Sequence, residues 1–101
     1  MITLSLLHPL HKTAVQSWAF EQEPVIRIGR ATDSHVILYS AVVSRHHAEL
    51  HRTDQGWMVK SLGTNGTYLD GQRITYVAVE NGTVIRLARS GPNIQIHIND
   101  Q

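Results

Sequence analysis

Cysteine is absent from the 101-residue chain, so a disulfide, a thiolate metal ligand and a cysteine nucleophile are all excluded. The chain also lacks a large excess of charge of either sign, because nine Lys and Arg against eight Asp and Glu give a formal net charge of +1. Charge-driven binding to nucleic acid or to a membrane needs many cations on one face, so we expect neither partner. The lack of cysteine fits a reducing compartment, and we expect a cytoplasmic protein.

Long apolar runs are also missing. Residues 1–9 contain an apolar stretch that is too short for a signal sequence or a membrane span and has no basic residues before it. We interpret this stretch as a first β-strand. The length fits one domain, expected to span residues 1–101, and the chain is either a whole small protein or a module of a longer protein with further domains.

The residues that are present favour strands. The chain is 42% hydrophobic and 17% charged, which is typical of a globular domain, and many of its residues are β-branched. Ile2, Leu4 and Leu6 alternate with polar residues at period two, which predicts a strand. The pattern over 13–20 fits either a strand or a helix, and we interpret it as a strand. Further strands are predicted at 25–28, 35–38, 46–53, 57–60, 68–69, 72–74, 83–89 and 94–98.

Turn residues separate most of these segments. We expect antiparallel hairpins around 54–56, around Asp70-Gly71 and around 90–93, because such residues accept the backbone conformations that tight turns need. Many short strands with turns between them predict an all-β fold, a two-sheet antiparallel β-sandwich of about ten or eleven strands.

Polar side chains concentrate in three predicted loops, at 29–34, 39–45 and 63–67. Arginine, serine, threonine and asparagine side chains in these loops offer many hydrogen-bond donors. If the loops meet at one end of the sandwich, these donors form a site for an anion with several oxygens, and phosphate fits best. An arginine fork binds two phosphate oxygens at once. The donor side chains are those of Arg30, Ser44, Arg45, Thr64 and Asn65.

The order of four short motifs resembles the forkhead-associated (FHA) domain. The motifs are Gly29-Arg30, Ser44-x-x-His47, Asn65-Gly66-Thr67 and Asp70-Gly71, with 14 positions from Arg30 to Ser44 and 21 from Ser44 to Asn65. The resemblance covers nearly the whole chain. It implies an eleven-stranded or similar β-sandwich whose loops at one end bind a phosphothreonine peptide, which is a mode of recognition that uses arginine clusters.

The resemblance also implies a role for each loop residue. An amide offers both a donor and an acceptor to a peptide unit, so Asn65 would bind the backbone of the peptide, whereas a phosphate dianion needs only donors. The implied partner is a threonine-phosphorylated protein in a signalling interaction. The phosphate would be held by Arg30, Ser44, Arg45 and Thr64, and the site would be supported structurally by Gly29, His47 and Gly66.

One position departs from the family's pattern. Family members often carry a serine two places before the asparagine of the Asn-Gly pair, where this chain has Gly63, and the run over 61–65 is one residue shorter. Thr64 would supply the hydroxyl instead. The geometry of the third loop is therefore the part of the site that the resemblance predicts least well.

Other functions fit the sequence less well. The group of His46, His47 and His51 does not indicate a zinc site, because His47 and His51 would lie well apart along a strand, and the neighbours in 33–35 do not meet as a catalytic triad. We therefore expect no enzyme activity, no metal and no cofactor. The alternative function is a phosphorylation-independent scaffold or dimerisation module that uses a sheet face.

Overall fold

The computed structural model describes residues 1–99, and their regular elements are eleven β-strands. No helix in this range is long and apolar enough to cross a membrane. The strands are β1 (Ile2–Leu7), β2 (Ala14–Phe20), β3 (Val25–Gly29), β4 (Val36–Ile37), β5 (Ala48–Thr53), β6 (Gly56–Ser61), β7 (Thr67–Leu69), β8 (Gln72–Ile74), β9 (Tyr76–Ala78), β10 (Val84–Leu87) and β11 (Asn93–Ile98).

These strands form two sheets. The six-stranded sheet has the order β2-β1-β11-β10-β7-β8, and the five-stranded sheet has the order β4-β3-β5-β6-β9. Together they confirm the predicted all-β sandwich. One detail differs from the expected antiparallel pairing, because β3 and β4 are parallel. The intervening loop carries the chain back along β3, and the backbone N–H of His35 donates to the carbonyl of Arg27 at 2.9 Å.

The core lies between the sheets and consists of the alternating apolar residues of the inner faces. Each sheet contributes side chains that are at most 1% exposed, and burial of one such side chain stabilises the fold by about 1.5–3 kcal/mol. The largest of them are Ile2, Leu4, Ile85, Leu87, Ile94 and Ile96 from the six-stranded sheet and Ile26, Ile28 and Leu50 from the other.

The predicted hairpins are confirmed. Strands β5 and β6, β7 and β8, and β10 and β11 each pair antiparallel. Asp70 and Gly71 have φ angles of 51° and 79°, as a two-residue turn with two left-handed positions requires. The ambiguous segment over 13–20 is a strand. It lies at the edge of its sheet and is mostly exposed, which explains its weak alternation.

Strand β9 was missed in the sequence because nothing marks its start. The predicted strand at 72–74 is β8, which pairs with β7 in one sheet, whereas β9 follows after a single residue and pairs with β6 in the other sheet. The chain changes sheets at Thr75, whose carbonyl accepts the N–H of Ser61 at 2.8 Å. The predicted strand over 46–53 is two residues too long, because His46 and His47 belong to the preceding loop.

Candidate functional site

Strand register brings three loops to one end of the five-stranded sheet. Ile28 pairs with Ala48, and Ala48 pairs with Ser61, so these residues form one row across β3, β5 and β6. At this row β3 is ending, β5 begins and β6 ends. The segments 30–35, 38–47 and 62–66 therefore leave the sheet side by side.

Backbone hydrogen bonds continue the pairing of β3 and β5 into the first two loops. The N–H groups of Arg30 and Ala31 donate to the carbonyls of Ser44 and Arg45, both at 3.0 Å. The two segments approach so closely that a Cβ atom at Gly29 would lie 2.1 Å from the carbonyl oxygen of Arg45. Glycine is therefore required at this position, because any side chain would force the loops apart.

Arg30 follows this close contact and is exposed. Its Nε–H donates to the carbonyl of Val43, which anchors the side chain on the second loop. This bond uses one of the five N–H groups of the guanidinium. The side chain is thus held in place before any ligand arrives, which lowers the entropy that binding would cost.

His47 links the second loop to the third. Its side chain is buried, its Nδ1 accepts the backbone N–H of Ser44 at 3.0 Å, and its Nε2 lies 2.8 Å from the carbonyl of Gly66. Because Nδ1 is an acceptor, the proton is on Nε2, which donates to Gly66. Burial lowers the pKa of His47 below its ordinary 6.5, and the bond to the Gly66 carbonyl partly opposes this shift. The ring is therefore neutral at neutral pH.

Gly63 passes directly over Ser44 and His47. A Cβ atom there would lie 2.7 Å from Nδ1 of His47 and 2.8 Å from the Oγ of Ser44, closer than carbon, nitrogen and oxygen atoms pack. The N–H of Gly63 donates to the carbonyl of His47 at 2.9 Å. The departure from the family's serine thus has a physical reason, because the contacts with His47 and Ser44 leave no room for a side chain at this position.

The rest of the third loop is tied on both sides. The exposed amide of Asn65 donates through Nδ2 to the carbonyl of Val42 at 2.9 Å. The carbonyl of exposed Thr64 accepts a hydrogen bond from Nη2 of Arg73 at 3.0 Å. Gly66 has a φ of +84°, and a Cβ atom there would lie 2.8 Å from Nε of Arg73. The loop that carries Thr64 and Asn65 is therefore held by the second loop on one side and by β8 on the other.

All the residues predicted for the site lie in these three loops, except Gly29, which is the last residue of β3. Arg45 is exposed and follows Ser44 in the second loop. Sequence reasoning missed Arg73, which belongs to β8. No sequence signal points to it, because its contact with Thr64 depends on the pairing of β7 with β8, in which Thr67 faces Ile74. It missed the carbonyls of Val42 and Val43 for the same reason, since backbone acceptors are invisible in a sequence.

Within residues 1–99 there is no group of three or more His, Cys, Asp or Glu side chains that could hold a metal ion. His51 contacts Glu49 instead, with Nε2 and Oε1 2.8 Å apart. The loops contribute mainly donors, with arginines on the first loop, the second loop and the neighbouring β8. This arrangement suits an anion with several oxygens.

Comparison with known proteins places these features in a family. The FHA domain model matches residues 26–88, so the chain belongs to the FHA domain family, a family of binding modules rather than enzymes. The chain is 42% identical over 71 residues to the FHA domain-containing protein FhaB of Mycobacterium tuberculosis. That match covers 68% of this chain and 45% of FhaB. The chain therefore spans less than half the length of this relative.

Solved structures share the fold across the chain. A structure from a study of phosphothreonine-dependent FHA domain interactions superposes with a TM-score of 0.81 at 26% identity, over 99% of this chain and 98% of the other. The FhaA FHA domain, complexed with the intracellular domain of Rv3910, gives a TM-score of 0.78 at 26% identity, over 96% and 100% of the two chains. Mycobacterium tuberculosis EmbR, in complex with a low-affinity phosphopeptide, gives 0.77 at 27% identity, over 98% of this chain and 25% of EmbR.

Proposed function

We propose that this FHA domain binds a phosphothreonine-containing segment of a partner protein and so mediates a phosphorylation-dependent interaction. The single observation that carries the proposal is the anchoring of the donors. Arg30 is fixed on the carbonyl of Val43, and Ser44 is fixed through its N–H on the ring of buried His47. Donors that are already in place fit a charged ligand better than mobile ones, because binding does not have to order them.

The phosphate would be bound by Arg30 and Ser44, with Arg45 and the hydroxyl of Thr64 beside them. A phosphothreonine dianion has three terminal oxygens that only accept hydrogen bonds, so it matches a set of donors. Each hydrogen bond to a charged group contributes about 1.5–3 kcal/mol net. A few such bonds, less the cost of association, are enough for micromolar affinity, which corresponds to about −8 kcal/mol.

The peptide on either side of the phosphothreonine would be bound by Asn65. Its amide uses one N–H on the carbonyl of Val42, which leaves the second N–H and the carbonyl oxygen to pair with a peptide unit. The same bond fixes the amide plane, so the partner's backbone meets a preset donor and acceptor. Recognition of threonine phosphate and of extended backbone would therefore occur on adjoining loops.

The similar proteins support this proposal. The FhaA FHA domain was solved with the intracellular domain of Rv3910, EmbR was solved with a phosphopeptide, and a further FHA structure comes from work on phosphothreonine-dependent interactions. A single domain over residues 1–101, a cytoplasmic location and further domains in a longer protein stay predictions.

The test is selection from a degenerate peptide library. The domain is immobilised and incubated with pools that carry phosphothreonine, phosphoserine or unphosphorylated threonine at one fixed position. We expect enrichment from the phosphothreonine pool only. Equal retention of the three pools would contradict the proposal and favour a phosphorylation-independent scaffold that uses a sheet face.

A further inference from the structure

A groove of about 570 Å³ lies on the outer face of the six-stranded sheet, away from the core. Register explains its composition: Arg86 pairs with Tyr68 on β7 and with Asn93 on β11, so these side chains share the outward face. Apolar contacts come from Leu7 and Val84. The lining of the groove therefore combines apolar and polar side chains.

Three of the nine lysines and arginines of the chain line this groove, against one carboxylate. They are Lys12, Arg86 and Arg89, and the carboxylate is Asp70. For a protein with a formal net charge of +1, this is a marked local excess of positive charge. It complements an acidic ligand.

Two of the three cations have side-chain contacts with neighbouring groups. Nε of Arg86 donates to Oδ1 of Asn93 at 3.2 Å, and its Nη1 donates to the carbonyl of Arg89 at 3.3 Å. The guanidinium of Arg89 lies 5.7 Å from the centre of the Tyr68 ring, within the range of a cation–π contact. Lys12 has a left-handed backbone conformation, and its backbone N–H donates to the carbonyl of His8 at 2.9 Å.

The groove begins where the third loop of the binding site ends. The N–H of Ala88 donates to the carbonyl of Gly66 at 2.8 Å, and Arg89 is the next residue. Tyr68 follows Asn65 by three positions, which an extended chain spans in at most about 11 Å. A peptide held by the three loops thus reaches the groove within a few residues.

We propose that this groove, lined by Lys12, Arg86 and Arg89, is a second docking surface that binds an acidic segment of the phosphorylated partner. The inference rests on the proposed function, because that partner is the one whose phosphothreonine the loops hold. A polypeptide fits better than a nucleic acid, since three cations beside a carboxylate and apolar side chains do not match a phosphate backbone, which needs many cations.

The test compares fluorescently labelled phosphothreonine peptides that carry no tail, a short glutamate tail on the amino side, or the same tail on the carboxyl side. One tailed peptide should bind the wild-type domain about five- to tenfold more tightly at low salt, because exposed charge pairs each contribute little. The gain should disappear at about 0.5 M salt, where surface charges are screened.

Matched variants test whether the gain in affinity from the glutamate tail arises in the groove. The double variant Lys12→Gln/Arg86→Gln should lose the gain, and Arg52→Gln/Lys60→Gln, which removes two charges from the other sheet, should keep it. Both should bind the untailed peptide as wild type does. The inference is overturned if neither tail adds affinity, if the groove variant keeps the gain, or if an oligothymidylate displaces the tail more effectively than a free glutamate peptide.

A second measurement does not depend on phosphate binding or on the variants. In amide NMR spectra of the wild-type domain, an unphosphorylated glutamate peptide should shift the signals of residues 84–86 and 93–95. Shifts spread evenly over both sheets would overturn the inference. Failure of the proposed function would give a different result from failure of the groove inference. In that case phosphorylation would not improve the binding of any of the three labelled peptides.

Discussion

Replacing Gly63 with alanine tests how the third loop is built. The new Cβ atom would lie 2.7 Å from Nδ1 of His47 and 2.8 Å from the Oγ of Ser44, so the ring or the loop must move. Overpacking of this kind costs about 1–3 kcal/mol, and a buried donor that loses its partner costs about 1–3 kcal/mol more. We expect Gly63→Ala to lower the free energy of unfolding by about 2–6 kcal/mol and to weaken phosphopeptide binding at least tenfold.

The assay is urea unfolding together with calorimetric titration of a selected phosphopeptide. Gly82→Ala is the control, because Gly82 has a φ of +93° and nothing lies within 4 Å of its Cβ position. That variant should lose only about 1 kcal/mol, from backbone strain, and should bind the peptide normally. If Gly63→Ala loses no more stability than the control and keeps its affinity, the close contact with Ser44 and His47 does not organise the site.

Three further predictions concern the same loops. Because burial lowers the pKa of His47, its NMR titration midpoint should lie below 6.5, and its neutral form should stabilise the fold fully above about pH 6.5. That contribution should decline on acidification by at most about 1.4 kcal/mol per pH unit; a midpoint at or above 6.5 would contradict the dominant effect of burial on the ring. Asn65→Ala should lose about 0.5–1.5 kcal/mol of stability with its bond to Val42. It should also weaken peptide binding at least tenfold by calorimetry, and unchanged affinity would remove Asn65 from the site. Affinity should fall below about pH 6 as the phosphate gains a proton, and a constant affinity would argue against a dianion ligand.

The sequence predicted most of the fold because its strands are half buried. Alternation such as that of Ile94, Ile96 and Ile98 reports one buried face directly. The turn at Asp70-Gly71 could be predicted because few residue pairs accept two left-handed positions. What escaped prediction depends on long-range register: the parallel pairing of β3 with β4 and the change of sheet before β9 leave no local mark.

In the candidate site, too, some features could be predicted from the sequence and others depend on long-range contacts. Arg30, Ser44 and Asn65 stand out in the sequence because their spacing resembles a family pattern. Their anchors do not, because Val42 and Val43 act through backbone carbonyls and Arg73 acts from a strand of the other sheet. Side-chain chemistry can be read along a chain, whereas the groups that fix it in place are known only once the loops have been brought together.

The most direct measurement of the central claim is the affinity of one library-selected peptide, with and without its phosphate, for the wild-type domain and for Arg30→Ala. We predict micromolar binding of the phosphorylated peptide to the wild type, and a loss of most of that affinity in the variant. The melting temperature should hardly change, because Arg30 is exposed. Equal binding of the two peptide forms, or undiminished binding by Arg30→Ala, would contradict the claim that these loops recognise phosphothreonine.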